Sequence, residues 1–196
     1  MAKTNSSKRL STRTIALGAI LTALVVVLQF LGQFIRFGPV AISLVLIPIV
    51  IGAATCGTRI STWLGFVFGV VVLFSDAQAF IAIDILGTIV TVLVKGVLCG
   101  LCAGLSYKFI SKFNVYAAVA VAAFVCPVVN TGVFLACCSI FFMDTLTEWA
   151  TSFGFSSTVD FMFLGLVGAN FLFELATNIV LSPVVVRILN IRKRQK

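Results

Sequence analysis

Charge is scarce in this sequence, and histidine is absent from it. Only 10% of the 196 residues are charged, whereas 61% are hydrophobic. A soluble domain usually carries about 25% charged residues, and a chain of this size exposes too much surface to hide so many apolar side chains in one core. The shortage of charge therefore excludes an ordinary soluble protein and indicates an integral membrane protein.

The lack of histidine and the small number of acids also limit the chemistry. No pair of acidic residues occurs at metal-ligand spacing within one predicted helix, so we expect neither an enzyme nor a metal site or cofactor. Cys99 and Cys102 have the C-x-x-C spacing of redox motifs, but no βαβ pattern accompanies them. Small residues in helix contacts are the better interpretation of all six cysteines.

The apolar residues predict an all-α protein with six transmembrane helices. These helices are expected at 14–33, 41–56, 60–74, 84–107, 115–143 and 161–189. The second and third fall short of the roughly 17 residues that a span needs. The chain then divides into a cytoplasmic tail (1–13), a six-helix substrate-binding domain (14–189) and a basic cytoplasmic tail (190–196). A polar loop is predicted at 144–160.

The distribution of charge predicts that both termini are cytoplasmic. With six spans, twelve of the fourteen basic residues fall on the side of the N-terminus, and five of the six acids fall on the other side. An excess of lysine and arginine in short loops marks the cytoplasmic side of a membrane protein. The acids of the outer side are Asp76, Asp84, Asp144, Glu148 and Asp160.

Two charged residues, Lys95 and Glu174, are expected inside the membrane at matching depth. Each lies about 16 to 20 Å below the outer end of its predicted helix, at 1.5 Å per residue. A charge near the bilayer centre costs at least about 2.5 kcal/mol, and such residues usually mark a ligand site or an ion pathway. We therefore expect Lys95 and Glu174 to pair and to form part of a functional site.

Uncharged polar residues occur at related depths. Asn170, Glu174 and Asn178 follow one another at intervals of four residues, so they share one helix face. Asn130 and Thr131 lie close to a proline in the preceding helix, where an opened backbone exposes further polar groups. The alternative is that the asparagines only hold helices together by hydrogen bonds.

The first predicted helix carries small residues on one face. Ala19 and Ala23 form an A-x-x-x-A motif, and small residues four apart allow another helix to approach closely.

Together these features resemble the substrate-binding S component of energy-coupling factor (ECF) vitamin transporters, over essentially the whole chain. The resemblance rests on the length, the six predicted spans, the basic termini and the A-x-x-x-A motif. Four further segments carry it: FGPVAISLVLIPIVIGAATCG, WLGFVFGVVVLFSD, VKGVLCGLCAGL and CPVVNTGVF.

The resemblance implies a fold, a mechanism and a set of partners. An S component of a prokaryotic plasma membrane binds a vitamin at the outer side, through helices four to six and outer loops. It joins a transmembrane coupling subunit, here through Ala19 and Ala23, and two ATPases, and then topples to release the vitamin inside. The chain lacks a G-x-x-x-x-G-K-[ST] phosphate loop. This agrees with a transporter in which separate subunits hydrolyse the ATP. No nucleic-acid partner is expected.

The candidate substrate-binding residues are the buried polar ones, with a small polar vitamin as the expected ligand. They are Lys95, Asn130, Thr131, Asn170, Glu174 and Asn178. Pantothenate is the first expectation, because Lys95 suits a carboxylate, and riboflavin is the second. The segment 144–160, which contains Trp149, is expected to close over the ligand. The alternatives are a stand-alone carrier or channel that uses Lys95 and Glu174 as a relay, and a purely structural scaffold.

Overall fold

The structure is a computed structural model that describes residues 12–34 and 43–194, with side chains as far as residue 191. Within these ranges the chain is helical and contains no strand. The helices are α1 (Thr12–Gly32), α2 (Leu46–Cys56), α3 (Thr58–Ser75), α4 (Gln78–Ile81), α5 (Ile85–Ile110), α6 (Val115–Phe141), α7 (Met143–Ser152), α8 (Thr158–Asp160) and α9 (Gly168–Arg194). A π-helical segment, Phe161–Leu166, joins α8 to α9.

Five apolar helical runs are long enough to cross a membrane, and this confirms a multi-pass membrane protein. They are α1, α3, α5, α6 and the continuous run from α8 to α9. The second predicted span is different, because α2 has only 11 residues. Its length of about 16 Å is half of a hydrocarbon core about 30 Å thick. Ser43 is not helical and α2 begins at Leu46; residues 41–42 lie outside the described residues.

The segment predicted as a polar loop at 144–160 is largely helical, so that prediction was wrong. The amphipathic helix α7 occupies its first half, with Leu146 and Ala150 buried one turn apart and Glu148 exposed. Only two of the ten residues of α7 are buried. The remaining polar composition therefore favoured a loop in the sequence analysis. The last predicted helix also differs, since it begins with the π-helical turn and continues past residue 189.

Acidic and basic residues lie at opposite ends of the helix bundle. Short connections make consecutive long helices antiparallel, so the C-terminal end of α3 and the N-terminal end of α5 lie together. The acidic end carries Asp76, Asp84, Asp144, Glu148 and Asp160. The basic end carries Arg13, Arg59, Lys108, Lys112 and Arg187.

Helices α3 and α5 pack backbone to backbone along a row of small residues, which we call the α3–α5 seam (Gly65, Gly96, Gly100 and Gly104). A Cβ atom added at Gly65 would collide with the carbonyl oxygen of Gly96, and one added at Gly100 would collide with that of Ser61. The Ser61 hydroxyl also donates a hydrogen bond to the Gly100 carbonyl. Glycine is required here because only a residue without a side chain permits this approach.

Candidate functional site

A small cavity lies near the acidic end, between α3, α4, α5 and α6. Its walls are formed by Val72, Asp76, Ala77, Phe80, Thr88, Thr91, Val92, Lys95, Phe134 and Phe142. The cavity volume of about 20 Å³ is room for a water molecule. In this closed form, a ligand the size of a vitamin requires one of the walls to move.

Lys95 reaches this cavity from α5 and is 6% exposed. Its Nζ atom lies 4.8 Å from the ring centroid of Phe134 and 5.6 Å from that of Phe68. Such cation–π contacts offset part of the cost of burying an ammonium. Among the described residues, no carboxylate lies within ion-pair distance (4.0 Å) of this nitrogen. The ammonium is therefore held by aromatic rings beside a cavity.

Two hydroxyls share the face of α5 that carries Lys95. Thr88 and Thr91 precede the lysine at a spacing that places all three on one side of a helix. The hydroxyls donate to the carbonyls of Asp84 and Gly87, at 2.6 and 2.7 Å. Because a hydroxyl oxygen also has lone pairs, each can still accept a hydrogen bond from a ligand.

Glu174 belongs to α9 and is 4% exposed. Its Oε1 atom accepts a hydrogen bond of 2.8 Å from the backbone N–H of Ser43, at the turn that leads into α2. The Asn130 side chain lies close to this carboxylate, and the Lys95 ammonium interacts with it electrostatically over a longer distance. The direct ion pair expected between Lys95 and Glu174 is not formed. Glu174 instead satisfies the backbone N–H of the buried Ser43.

Asn170 and Asn178 lie on the buried face of α9, as their spacing predicted, with 4% and 3% of their surfaces exposed. The Asn178 side-chain amide donates to the backbone carbonyl of Glu174 at 2.8 Å, so this asparagine supports its own helix. Thr131 is separate from this group. It is half-buried in a groove between α6 and the start of α9, next to Phe163 and Phe171.

The polar groups that the structure brings together are Lys95, Asn130 and Glu174, from three helices, and we call them the polar centre. A family model for the substrate-specific component of ECF transporters matches residues 13–188. The chain belongs to this family. A search of curated proteins gave no match. Membership makes the chain a membrane-embedded substrate-specific subunit of a transporter rather than an enzyme.

An aromatic cluster closes the cavity of this S component on the acidic side. The ring of Phe80, on the short helix α4, makes edge-to-face contacts with Phe134, Phe142 and Trp149, at centroid distances of 5.8, 5.2 and 5.6 Å. We call these four residues the aromatic lid. These ring contacts connect α4 to α6 and α7. Opening the cavity on this side therefore requires α4 to move away from the other two helices.

The small residues of α1 face outward in this S component. Ala19 and Ala23 are both exposed, and Ala19 lies in an open groove of about 590 Å³ between α1 and α3. The groove is walled by Ile15, Gly18, Thr22, Arg59, Ile60 and Trp63. Among the described residues, no helix covers this face of α1.

Sequence reasoning missed several residues of the cavity. Thr88 and Thr91 were detectable, since they share a helix face with Lys95. Phe68 and Phe134 were not, because phenylalanine is abundant in the chain (19 residues) and its position gives no signal. Ser43 was also missed, because it takes part through its backbone N–H rather than its side chain.

Proposed function

We propose that this S component binds a vitamin at the outer side of a prokaryotic plasma membrane and delivers it inward with a transmembrane coupling subunit and two ATPases. We place the acidic end outside and both termini in the cytoplasm, with α2 as the sixth, half-length crossing. The separation of basic from acidic residues supports this orientation.

The observation that carries the proposal is the buried Lys95 ammonium beside a cavity near the acidic end. Intramembrane charges that face a cavity usually serve a ligand or an ion pathway. Pantothenate is our first candidate, because its carboxylate matches the ammonium, and riboflavin is the second. The proposed site comprises Lys95, Asn130, Thr131, Asn170, Glu174 and Asn178. Lys95, which lines the cavity, and Asn130 are the proposed ligand contacts, and Glu174 supports the site by holding the turn before α2.

We place the coupling subunit on the exposed face of α1. Substituting Ala19→Trp or Ala23→Trp is expected to abolish transport but to leave vitamin binding unchanged, because a large side chain on this face prevents close helix approach. Transport is measured as vitamin uptake by cells, and binding as the thermal stabilisation of the purified subunit. The control is Leu172→Trp, which changes an exposed apolar residue of α9 and should affect neither. Normal transport by both alanine variants would contradict the assignment.

Reconstitution separates the S component from a stand-alone carrier. Proteoliposomes that contain the whole complex should accumulate vitamin only when ATP is supplied to the ATPases. The chain alone should bind vitamin without accumulating it. Uptake by the chain alone, lost in Lys95→Met and Glu174→Gln, would favour the carrier instead.

A further inference from the structure

We propose that the ligand of this site carries a carboxylate, which binds Lys95, and a neighbouring hydroxyl or amide N–H, which donates to Asn130, whereas Glu174 takes no part in ligand binding. This inference rests on the proposed function and specifies the ligand chemistry of the same site. The basis is a difference within the polar centre. The Glu174 carboxylate already has a hydrogen-bond partner, whereas the Asn130 carbonyl oxygen has none among the described residues.

Lys95 is a buried cation that forms no ion pair with a carboxylate among the described residues. Its described contacts are the rings of Phe134 and Phe68, which replace only part of the hydration that an ammonium loses. Asp76 lines the same cavity, and Glu174 interacts with the ammonium electrostatically at longer range. An anionic ligand supplies the direct ion pair that Lys95 lacks, whereas a neutral ligand does not.

Glu174 already has a partner for its carboxylate. The Ser43 N–H donates to it, and this N–H belongs to the turn before α2. Ser43 is buried, so an N–H group left without an acceptor there is unfavourable. A ligand that took over Glu174 would leave that donor without a partner, so the glutamate serves as a fixed clamp between α9 and the start of α2.

Asn130 lies opposite Lys95 on the facing helix. Cys99 on α5 and Cys126 on α6 are buried in the same hydrophobic cluster. Because these helices are antiparallel, one turn toward the acidic end leads to Lys95 on α5 and to Asn130 on α6. The two residues therefore lie at similar depth on facing helices.

The carbonyl oxygen of Asn130 needs a hydrogen-bond donor. Asn130 is 4% exposed, and its Oδ1 atom is buried without a hydrogen-bond partner among the described residues. A buried acceptor left in this state has lost its hydration without gaining a partner, which is unfavourable. Lysine and asparagine together thus present one cation and one acceptor, and the complementary ligand presents an anion and a donor at short separation.

Pantothenate and panthenol provide a matched test of this ligand class. Pantothenate has the carboxylate together with hydroxyl and amide donors, and panthenol is the same molecule with a neutral –CH₂OH in place of the carboxylate. Binding to the purified, detergent-solubilised full chain is measured by isothermal titration, with riboflavin as a further neutral vitamin. We expect pantothenate to bind at least roughly 30-fold more tightly than panthenol, the factor for losing about 2 kcal/mol of a buried charge interaction.

Three substitutions test the assigned roles of the residues, and a fourth is their control. Lys95→Met should abolish the preference for pantothenate over panthenol, and Asn130→Leu should weaken both ligands about equally. Lys112→Met is the matched control, since this exposed lysine also lies over a phenylalanine ring, 5.7 Å from Phe109, and it should bind as the parent does. The Glu174→Gln variant should keep the preference, because glutamine retains an oxygen that accepts from Ser43.

Four outcomes would overturn the inference. They are equal binding of pantothenate and panthenol by the parent, no binding of either, an unchanged preference in Lys95→Met, and loss of the preference in Glu174→Gln. Riboflavin binding alone, unaffected by Lys95→Met, would overturn the ligand class and leave the proposed function intact. The proposed function itself fails if no vitamin binds and the chain does not assemble with a coupling subunit.

Discussion

The two sides of α5 contact very different neighbours. Toward α3, the α3–α5 seam brings two backbones into direct contact, and no added side chain fits there. Toward α6, the same helix presents Thr91 and Lys95 to a cavity and to aromatic rings. One helix thus combines a tight backbone contact on one side with a surface that carries a buried ammonium beside a cavity on the other.

This difference indicates where the protein moves. A seam of backbone contacts has one arrangement, because shifting either helix creates collisions along its whole length. The polar centre and the aromatic lid are held by side chains from five helices (α4, α5, α6, α7 and α9), and these side chains can rotate individually. We therefore expect α3 and α5 to form a fixed wall, against which α4, α6 and α7 open and close.

Glycine substitutions should give the largest effect and test the fixed wall directly. Gly65→Ala is expected to lower the free energy of unfolding by about 3 kcal/mol, because its Cβ collides with backbone rather than with a flexible side chain. The measurement is thermal unfolding in detergent, followed by circular dichroism.

Gly132→Ala is the matched control for the seam. It lies in α6, where an added Cβ meets nothing within 4 Å, and alanine favours a helix over glycine by about 1 kcal/mol. We expect this variant to be as stable as the parent or slightly more stable. Equal losses in both variants would show that the α3–α5 seam is not a special contact.

Substitutions at Glu174 should have an intermediate effect and show whether the polar centre has a structural part. Glu174→Ala should cost about 2 kcal/mol, since it leaves the buried Ser43 N–H without an acceptor. Glu174→Gln should cost less than half of that. Lys95→Met should cost little stability, because no described carboxylate depends on it. If Lys95→Met destabilises the protein as much as Glu174→Ala, the two charges act as one pair after all.

A change in tryptophan fluorescence should be the smallest effect and report on the aromatic lid. Trp149 contacts Phe80, and the chain has one other tryptophan, Trp63. In Trp63→Phe, adding pantothenate should change the emission, because a ligand displaces Phe80. In Trp149→Phe, where Trp63 is the remaining reporter on the distant α1–α3 groove, the emission should stay constant. Unchanged emission from Trp149 at saturating ligand would mean that the lid does not move.

Apolar composition was sufficient to predict the long helices, whereas the family was predicted from the resemblance of particular segments, the basic termini and the A-x-x-x-A motif. The predictions near 14–33, 84–107 and 115–143 agree with α1, α5 and α6 within a few residues, because about twenty consecutive apolar residues have few alternatives in a membrane. The short elements were not predictable in the same way. The start of α2 is fixed by Glu174, 131 positions away, and α7 is fixed by packing of two side chains beneath the aromatic lid.

Burial of the polar residues was determined by the sequence, and their pairing by the tertiary structure. Lys95, Asn130, Asn170, Glu174 and Asn178 are all buried, as their positions in apolar helices predicted. Their partners depend on how each helix is rotated and how deep it lies relative to its neighbours. The spacing of residues along a single helix does not determine this geometry. Packing along the α3–α5 seam and between α5 and α6 sets these angles. It places Lys95 against two aromatic rings and Glu174 against a backbone N–H, rather than against each other.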